Sequence, residues 1–529
     1  MGKKIIRKNY SNLVLFDIFF FIFFLVMLVL PLIIEKQIKK KLSETKNISV
    51  KDVSVSIFPT GIILSDIKAT NLFAGKSLIV NGTIKKIKIS GIPVWNILRK
   101  NSVEIGSATL WKPEIILTGK HSSKNDKDES EVPGINFTGI RNLTIFNGEC
   151  DFTNKEGDNY AVKDLMVFIS PLNLTRDSIK NIQPVFSFST GPVKYAGADS
   201  MSILSAIHIQ GSTDDHQIVF DSVKVTPSYT EEKFSSKIKF QSDRLDFSCP
   251  KVMVSLADSF LSAQNIFHAQ EVRLKNPDIK VYRDKRVMRD PKEKRESLQY
   301  YLKESSLKFM IDSFFIDNGN VKYREYAEKA DRAGEIDFTK VKIEANNINT
   351  GYDTGSEMIL SVEALFMKSG KLNAKLNFPY GKNEFHCEGR IAEMPFINLN
   401  KMTGPNAGIL FNDGYVNSMQ FNFTANDIYA SGDLNLNYRD MKFTVSNEKQ
   451  PDDPGVLTRI KTAAAGLFIK KEGKKDNVII SLNGKICQQR NEQKFIFNYI
   501  WKSILSGIRS ALTESFTPSR DKPDIKLPC

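Results

Sequence analysis

Chemistry in this chain would have to come from few residues. Its 529 residues include five His (His121, His208, His216, His268, His386) and five Cys (Cys150, Cys249, Cys387, Cys487, Cys529). His386 and Cys387 are adjacent, but neighbours in a strand point to opposite faces. A thiol nucleophile needs a base within hydrogen-bond reach, itself oriented by a third group, and no Asp or Asn stands out as that partner. A strand edge is the better reading of the pair. Asn125-Asp126-Lys127-Asp128-Glu129 comes nearest to a calcium loop. It lacks the glycine and the terminal glutamate in register, which leaves a solvated acidic loop. The cysteines are far apart and none forms a CxxC, which excludes a Cys-based zinc finger and a disulfide-dense scaffold. Cys529 follows Lys526-Leu527-Pro528, which is no prenylation box. The Asn-x-Ser/Thr sites at Asn47, Asn81, Asn136, Asn142, Asn173 and Asn422 reflect an Asn-rich composition. Phosphate-loop, dinucleotide, zincin, nucleophile-elbow and kinase patterns are all missing. The expectation is therefore a non-enzymatic protein with no catalytic residue, metal ligand or cofactor.

The charge balance points elsewhere too. Lys and Arg number 74 against 60 acids, for a net +14. Residues 1–46 hold nine Lys/Arg and three acids, so the remaining chain has only a mild basic excess. No RNP, helix-turn-helix or zinc-finger pattern accompanies it, and no nucleic-acid partner is expected. One basic cluster stands out: Lys280–Arg295 holds eight basic and three acidic residues. It reads either as a solvated loop or as a surface for anionic lipid headgroups.

Leu13 to Ile34 is a 22-residue apolar run interrupted by one charge, Asp17. A helix of that length reaches about 33 Å, enough to cross a hydrocarbon core of about 30 Å. Lys3, Lys4, Arg7 and Lys8 flank it on one side and Lys36, Lys39, Lys40 and Lys41 on the other, which leaves orientation open. The run is long for a signal peptide and no small-residue cleavage site follows, so an uncleaved anchor is expected. Asp17 reads as a proton or partner site, or as an acid near the interface favoured by the helix N-terminus.

Elements must then be found for the rest. From Asn47 to Cys487 apolar and polar residues alternate, as in Val53–Ile57, Val223–Val225, Lys237–Phe240, Leu372–Phe378, Phe421–Phe423 and Leu434–Tyr438. This pattern yields roughly 20–25 strands, each with one apolar face. Phe58-Pro59-Thr60-Gly61 fits a turn joining two of them. Helix candidates are short: 94–100, 254–265, 295–304, 396–402 and 456–470. Open sheets rarely exceed about ten strands without curling or splitting. So few helices cannot cover that many apolar faces. The faces pack on each other in sandwiches, or curl around something apolar that is not protein. In the second case Val53, Val55, Ile57, Ile62, Leu64, Ile84, Ile87 and Ile89 are the candidate lining.

The body repeats. Val103–Thr118 matches Phe267–Tyr282, with Pro113 and Pro277 in register. Ile140–Phe152 matches Ile311–Tyr323, with Asn147-Gly148 and Asn318-Gly319 in register as hairpin or bulge signals. Tyr160–Ile169 matches Ile336–Ala345. Three ordered matches divide the body into two related β units, 47–245 and 246–490.

These features together resemble the AsmA-like family of bacterial envelope proteins. The carrying residues are the anchor at 13–34, then Val53-Ser54-Val55-Ser56-Ile57-Phe58-Pro59-Thr60-Gly61-Ile62-Ile63-Leu64-Ser65-Asp66-Ile67. Ile97-Leu98 follows before Val103-Glu104-Ile105 and the strand with Trp111-Lys112-Pro113, and Pro277 supplies a second instance. The resemblance is strongest over 13–170 and thin beyond. It implies an elongated, curled antiparallel sheet forming a repeating β-groove. It also implies an inner-membrane anchor with a cytoplasmic N-terminus, a periplasmic body, and movement of phospholipid toward the outer membrane. This chain is short beside the bridge-forming members of that family. The alternative is a structural or adaptor protein of the envelope with β-sandwich cores that binds another protein, for example in outer-membrane assembly.

Residues 491–529 form the last segment. Within Phe495–Leu512, Ile500, Ile504, Ile508 and Leu512 recur every four residues, and Trp501 and Leu505 widen the apolar side. The helix reads as a plug over the last β unit's edge, or as a tip that touches the outer membrane or an envelope protein.

Overall fold

The computed structural model describes residues 29–40, 42–43, 47–57, 60–74, 78–92, 102–119, 136–170, 172–173, 185–261, 266–351, 355–445 and 478–514. The protein is mainly β. It divides into two compact units: Met1–Ser200 with Ser205–His216, and Met201–Leu204 with Gln217–Cys529. The sequence boundary at 245/246 falls inside a strand, Asp243–Leu261. Most of the expected anchor, and the helix candidates at 94–100 and 456–470, lie outside the described residues. Residues 29–40 are helical, and among the described residues no helix is long and apolar enough to cross a membrane.

Through residue 212 the strands are β1 (Ile48–Ile57), β2 (Thr60–Ala74), β3 (Leu78–Ser90), β4 (Ser102–Gly119), β5 (Asn136–Thr153), β6 (Asn159–Ser170), β7 (Leu172–Asn173), β8 (Val185–Thr190), β9 (Val193–Ala196), β10 (Ser202–Ala206) and β11 (His208–Ser212). Neighbours pair antiparallel from β1 to β4, β5 with β6, and β6 with β8. The β4–β5 pair is parallel. The second unit contains β12 (Gln217–Pro227), β13 (Asp243–Leu261), β14 (Phe267–Lys275), β15 (Asp278–Asp284), β16 (Phe309–Tyr326), β17 (Gly334–Asn349), β18 (Glu357–Phe366), β19 (Gly370–Pro379), β20 (Glu384–Pro395), β21 (Ile409–Asn426), β22 (Tyr429–Val445) and β23 (Ile480–Gln489). There β16 runs parallel to both β14 and β15.

The sheet is thus mixed, a correction to the all-antiparallel expectation, and the reason is chain length. A parallel pair needs a crossover of a dozen or more residues. The polar stretch between β4 and β5, and the one between β15 and β16, are those crossovers.

The repeat has a geometric basis. Lys112 and Asn276, each just before a proline, have φ of 50° and 51°. Asn147 and Asn318 have 52° and 54°, and Asp164 and Lys340 have 49° and 52°. All six are matched positions of the sequence repeat. Each left-handed residue is exposed, and Pro113, Gly148, Pro277, Gly319 and Val341 directly after five of them are buried. At Asn147 and Asp164, and at Asn318 and Lys340, the register shifts, as in bulges that insert a residue, bend the strand and re-aim its side chains. Through Lys112 and Asn276 the ladder continues in register. A β-carbon on Gly148 would stand 3.2 Å from Pro113, and one on Gly319 would stand 3.2 Å from Pro277. Asn-Gly is therefore a bulge signal here, with Asn tolerating positive φ and Gly making room for the proline.

Two local readings are corrected. Residues 254–261 are strand, not helix: Ser255 pairs with Gln217 and Leu256 with Ala269, with a register shift between them. That shift breaks the alternation and mimics helical spacing, while Leu256, Ala257 and Phe260 are all buried. Residues 237–240 are not a strand but the end and exit of a helix, Glu231–Lys237. Its signal was present: Thr230 accepts from the Lys233 amide, and Glu231 and Glu232 occupy the first turn. Helices also form at Leu298–Lys303 and Asn400–Ala407, the latter preceded by a 3-10 turn at Phe396–Leu399.

An apolar sheet face as the candidate functional site

In a ladder, residues standing opposite each other share a face. Val55, Ile62, Ile89, Ala108, Leu143, Ile169 and Phe186 stand opposite one another across seven strands, β1 to β6 and β8. A second line beside it is Val53, Leu64, Ile87, Leu110, Ile145, Val167 and Phe188. Ile84 opens a third, opposite Ile67 and Pro113. In a regular strand Ile84 and Ile87 would face apart. Asp66 (φ 48°) and Lys112 turn the chain without shifting its register, and the apolar spacing changes from two to three. A β-carbon on Gly148 would stand 3.1 Å from Ile145 and 3.2 Å from Pro113, so the lines of Ile84 and Ile87 lie on one side. Seven of the eight candidate lining residues therefore fall on one face. Ile57 stands opposite Thr60 at the end of β1, and its side chain lies outside the described residues.

Across this first-unit face most of the aliphatic and aromatic side chains are only half-buried; Val53, Ile67, Ala108 and Pro113 are buried. At its outer edge the helix at 29–40 meets β1. Glu35 accepts from the Val55 amide at 2.9 Å, and Lys39 pairs with Asp52 at 3.1 Å. This occupies an edge N–H that would otherwise invite another strand.

The second unit treats its apolar face differently. Ala345, Leu360, Leu376, Cys387, Phe423, Gly432 and Ile486 stand opposite one another from β17 to β23. Here Cys387, Phe423 and Ile486 are each 1% exposed. They belong to one core with Tyr499, Ile504 and Ala511 of the C-terminal helix, Ile496–Glu514, against which Ile500, Ile508 and Leu512 also pack. That helix additionally caps β23: Ser510 and Ser506 hydroxyls accept from the Lys485 and Cys487 amides at 2.9 and 3.1 Å. Trp501 departs from the sequence expectation. It is 37% exposed on the outer side with Phe497, and Leu505 is half-buried. The buried side is narrower than the apolar count implies because Ser503 and Gly507 take the closest positions against the sheet.

Other chemistry-bearing residues resolve simply. Burial pushes the Cys387 thiol up to about 12, which keeps it protonated. His386 lies on the opposite side, with Nδ1 3.4 Å from the Thr424 hydroxyl. Among the described residues no cluster of three His, Cys, Asp or Glu is placed to hold a metal ion. A concavity of about 970 Å3 opens on the second unit's polar face, with Lys375, Glu388, Asn422, Asp433 and Lys485 in register along it. Most of the basic cluster at 280–295 is matched by carboxylates: Lys280 with Asp278, Arg283 with Asp243, Lys285 with Glu325, Arg286 with Asp284, Lys294 with Glu296 and Arg295 with Glu293.

No protein-family model matches the chain, and no curated protein matches it in sequence.

Proposed function

We propose that the protein is a non-enzymatic lipid carrier of a bacterial envelope, anchored in the inner membrane through residues 13–34 with its body on the periplasmic side. In this reading the first unit holds acyl chains against its apolar face and helps move phospholipid toward the outer membrane or maintain the envelope. The observation that carries it is the pair of apolar lines across seven strands whose side chains remain mostly half-buried. An apolar face of this extent in water marks an interaction surface. Hydrocarbon suits it, because burial of methylenes has no directional demand and needs no polar motif. At about 0.8 kcal/mol per buried methylene, eight methylenes laid on the face are worth about 6 kcal/mol. The resemblance of residues 13–170 to the AsmA-like family supports the same reading.

The filled core of the second unit favours the adaptor alternative for that unit alone, since its apolar face is already packed against its own helices and the turn at 396–399. Native mass spectrometry on detergent-free protein tests the proposal. Bound phospholipid is expected in the wild type and lost in Leu110→Asp with folding retained. A lipid-free wild type, or equal lipid in both, refutes it.

A further inference from the structure

The loop after β15 is clasped to the turn that precedes the C-terminal helix. Arg289 Nη1 donates to Gln493 Oε1 at 3.3 Å, and Gln493 Nε2 donates to the Pro291 carbonyl at 3.4 Å. The Arg295 amide donates to the Glu492 carbonyl at 2.6 Å, and its guanidinium lies 4.0 Å over the Phe495 ring. This clasp carries Lys494 into the field of Arg283, Lys285 and Arg289, with Glu325 as the opposing carboxylate. Both oxygens of Asp243 hold Arg283 at 2.6 Å. Glu325 accepts from Lys285 at 2.6 Å and from the Tyr323 hydroxyl at 2.7 Å. Two cations are left over. Arg289 has an amide oxygen for a partner and, among the described residues, no carboxylate. The Lys494 amide donates to the Asn491 carbonyl at 3.0 Å, but its ammonium has no hydrogen-bond or ion-pair partner among the described residues, and the residue is half-buried.

We propose that Lys494 and Arg289, backed by Lys285, bind a phosphate group. A half-buried ammonium without a partner is costly, as is a guanidinium with only a neutral acceptor, and a phosphate supplies the missing charge with several acceptor oxygens. Arg289 offers a planar donor fork and Lys494 a point charge, the usual division of labour at a phosphate. Burial and the three neighbouring cations push the Lys494 ammonium down to about 8, as expected of a site short of negative charge. The site lies within the second unit and stands whether or not the first unit carries lipid.

Thermal unfolding of the full chain in inorganic phosphate against chloride at equal ionic strength tests it. Ten-millimolar phosphate is expected to raise the second unit's melting temperature by about 2–4 °C. Lys494→Gln is expected to melt higher than the wild type without phosphate, because a repelled charge is gone, and to gain nothing from phosphate. Arg289→Gln should lose most of the response, whereas Lys494→Arg should keep it. A wild type indifferent to phosphate overturns the proposal, as does a response retained in both Gln variants. Dihexanoyl phosphatidic acid below its micellar concentration separates the sources. Action at tenfold lower concentration than inorganic phosphate assigns a lipid headgroup, and equal potency assigns free phosphate.

Discussion

Gly507→Ala is the sharpest test of how the C-terminal helix is held. In a helix exposed to water the change stabilises by about 1 kcal/mol, because alanine has less backbone freedom to lose. Here the new β-carbon would stand 2.7 Å from Ile486 Cγ1 and 2.9 Å from Leu434 Cβ. Carbon contacts want about 3.5–4.0 Å. Leu434 Cβ is fixed to its backbone, and Leu434 and Ile486 are 2% and 1% exposed, so neither can swing away. The helix must shift by about 1 Å, loosening Ser503 and Ala511, which are fully buried. Overpacking of this kind costs about 1–3 kcal/mol. Against the propensity gain, a net loss of about 0–2 kcal/mol is expected, in place of the gain of about 1 kcal/mol at an exposed site. Gly484→Ala probes the same contact from β23, where a β-carbon would lie 2.6 Å from the Ala511 amide nitrogen. Both changes lift one helix, so the double variant should cost less than the sum. The two units need not unfold together, so the readout is hydrogen exchange of residues 496–514 in increasing denaturant. A Gly507→Ala protein whose helix is protected more strongly than the wild type would refute the packing argument.

Other expectations are as direct. Asn318→Val should cost about 1–2 kcal/mol in thermal unfolding, since a branched residue resists φ of 54°, whereas Asn318→Gly should be close to neutral. Val53→Asp buries an unpaired charge at a site 2% exposed and should destabilise the first unit by about 3 kcal/mol or more, unlike the half-exposed Leu110→Asp; circular dichroism melts separate the two. The Lys494 ammonium sits at about 8 in the folded chain against 10.5 unfolded. The unfolded state then binds more protons between those values, so stability should rise with pH from about 8 to 10.5, and Lys494→Gln should lack that increment. The Arg286 guanidinium holds the buried Asp284 carboxyl below its ordinary 3.8. Its contribution is present above that value and should fade as pH drops beneath it, more in the wild type than in Asp284→Asn. Reporter fusions at Lys3 and Lys120 should place the N-terminus in the cytoplasm and the body outside it; a cytoplasmic signal at Lys120 would end the envelope reading.

What the chain declares locally was legible without coordinates. Alternation at Val53–Ile57 or Leu434–Tyr438 is a statement about two faces of one strand, and Asn147-Gly148 and Asn318-Gly319 are statements about single φ angles. Both belong to a few neighbouring residues, so the sequence by itself determined most of the strands, the repeat and the shared faces within single strands, such as Val53 with Val55 and Ile87 with Ile89. The four-residue recurrence from Ile500 to Leu512 likewise determined the C-terminal helix. Tertiary structure decided what those faces meet. Parallel pairing of β4 with β5 and of β14 and β15 with β16 depends on where long crossovers return. The strand at 254–261 exists because β12 and β14 complete its ladder, against its own spacing. Whether Trp501 or Gly507 faces the sheet depends on backbone approach rather than hydrophobicity. Most of all, equivalent apolar lines are half-buried in one unit and largely sealed in the other, because the C-terminal helix folds back over β22 and β23 and the turn and helix at 396–407 lie against β21 and β17. Alternation records that a face is apolar. Only the packed chain determines whether protein already covers it.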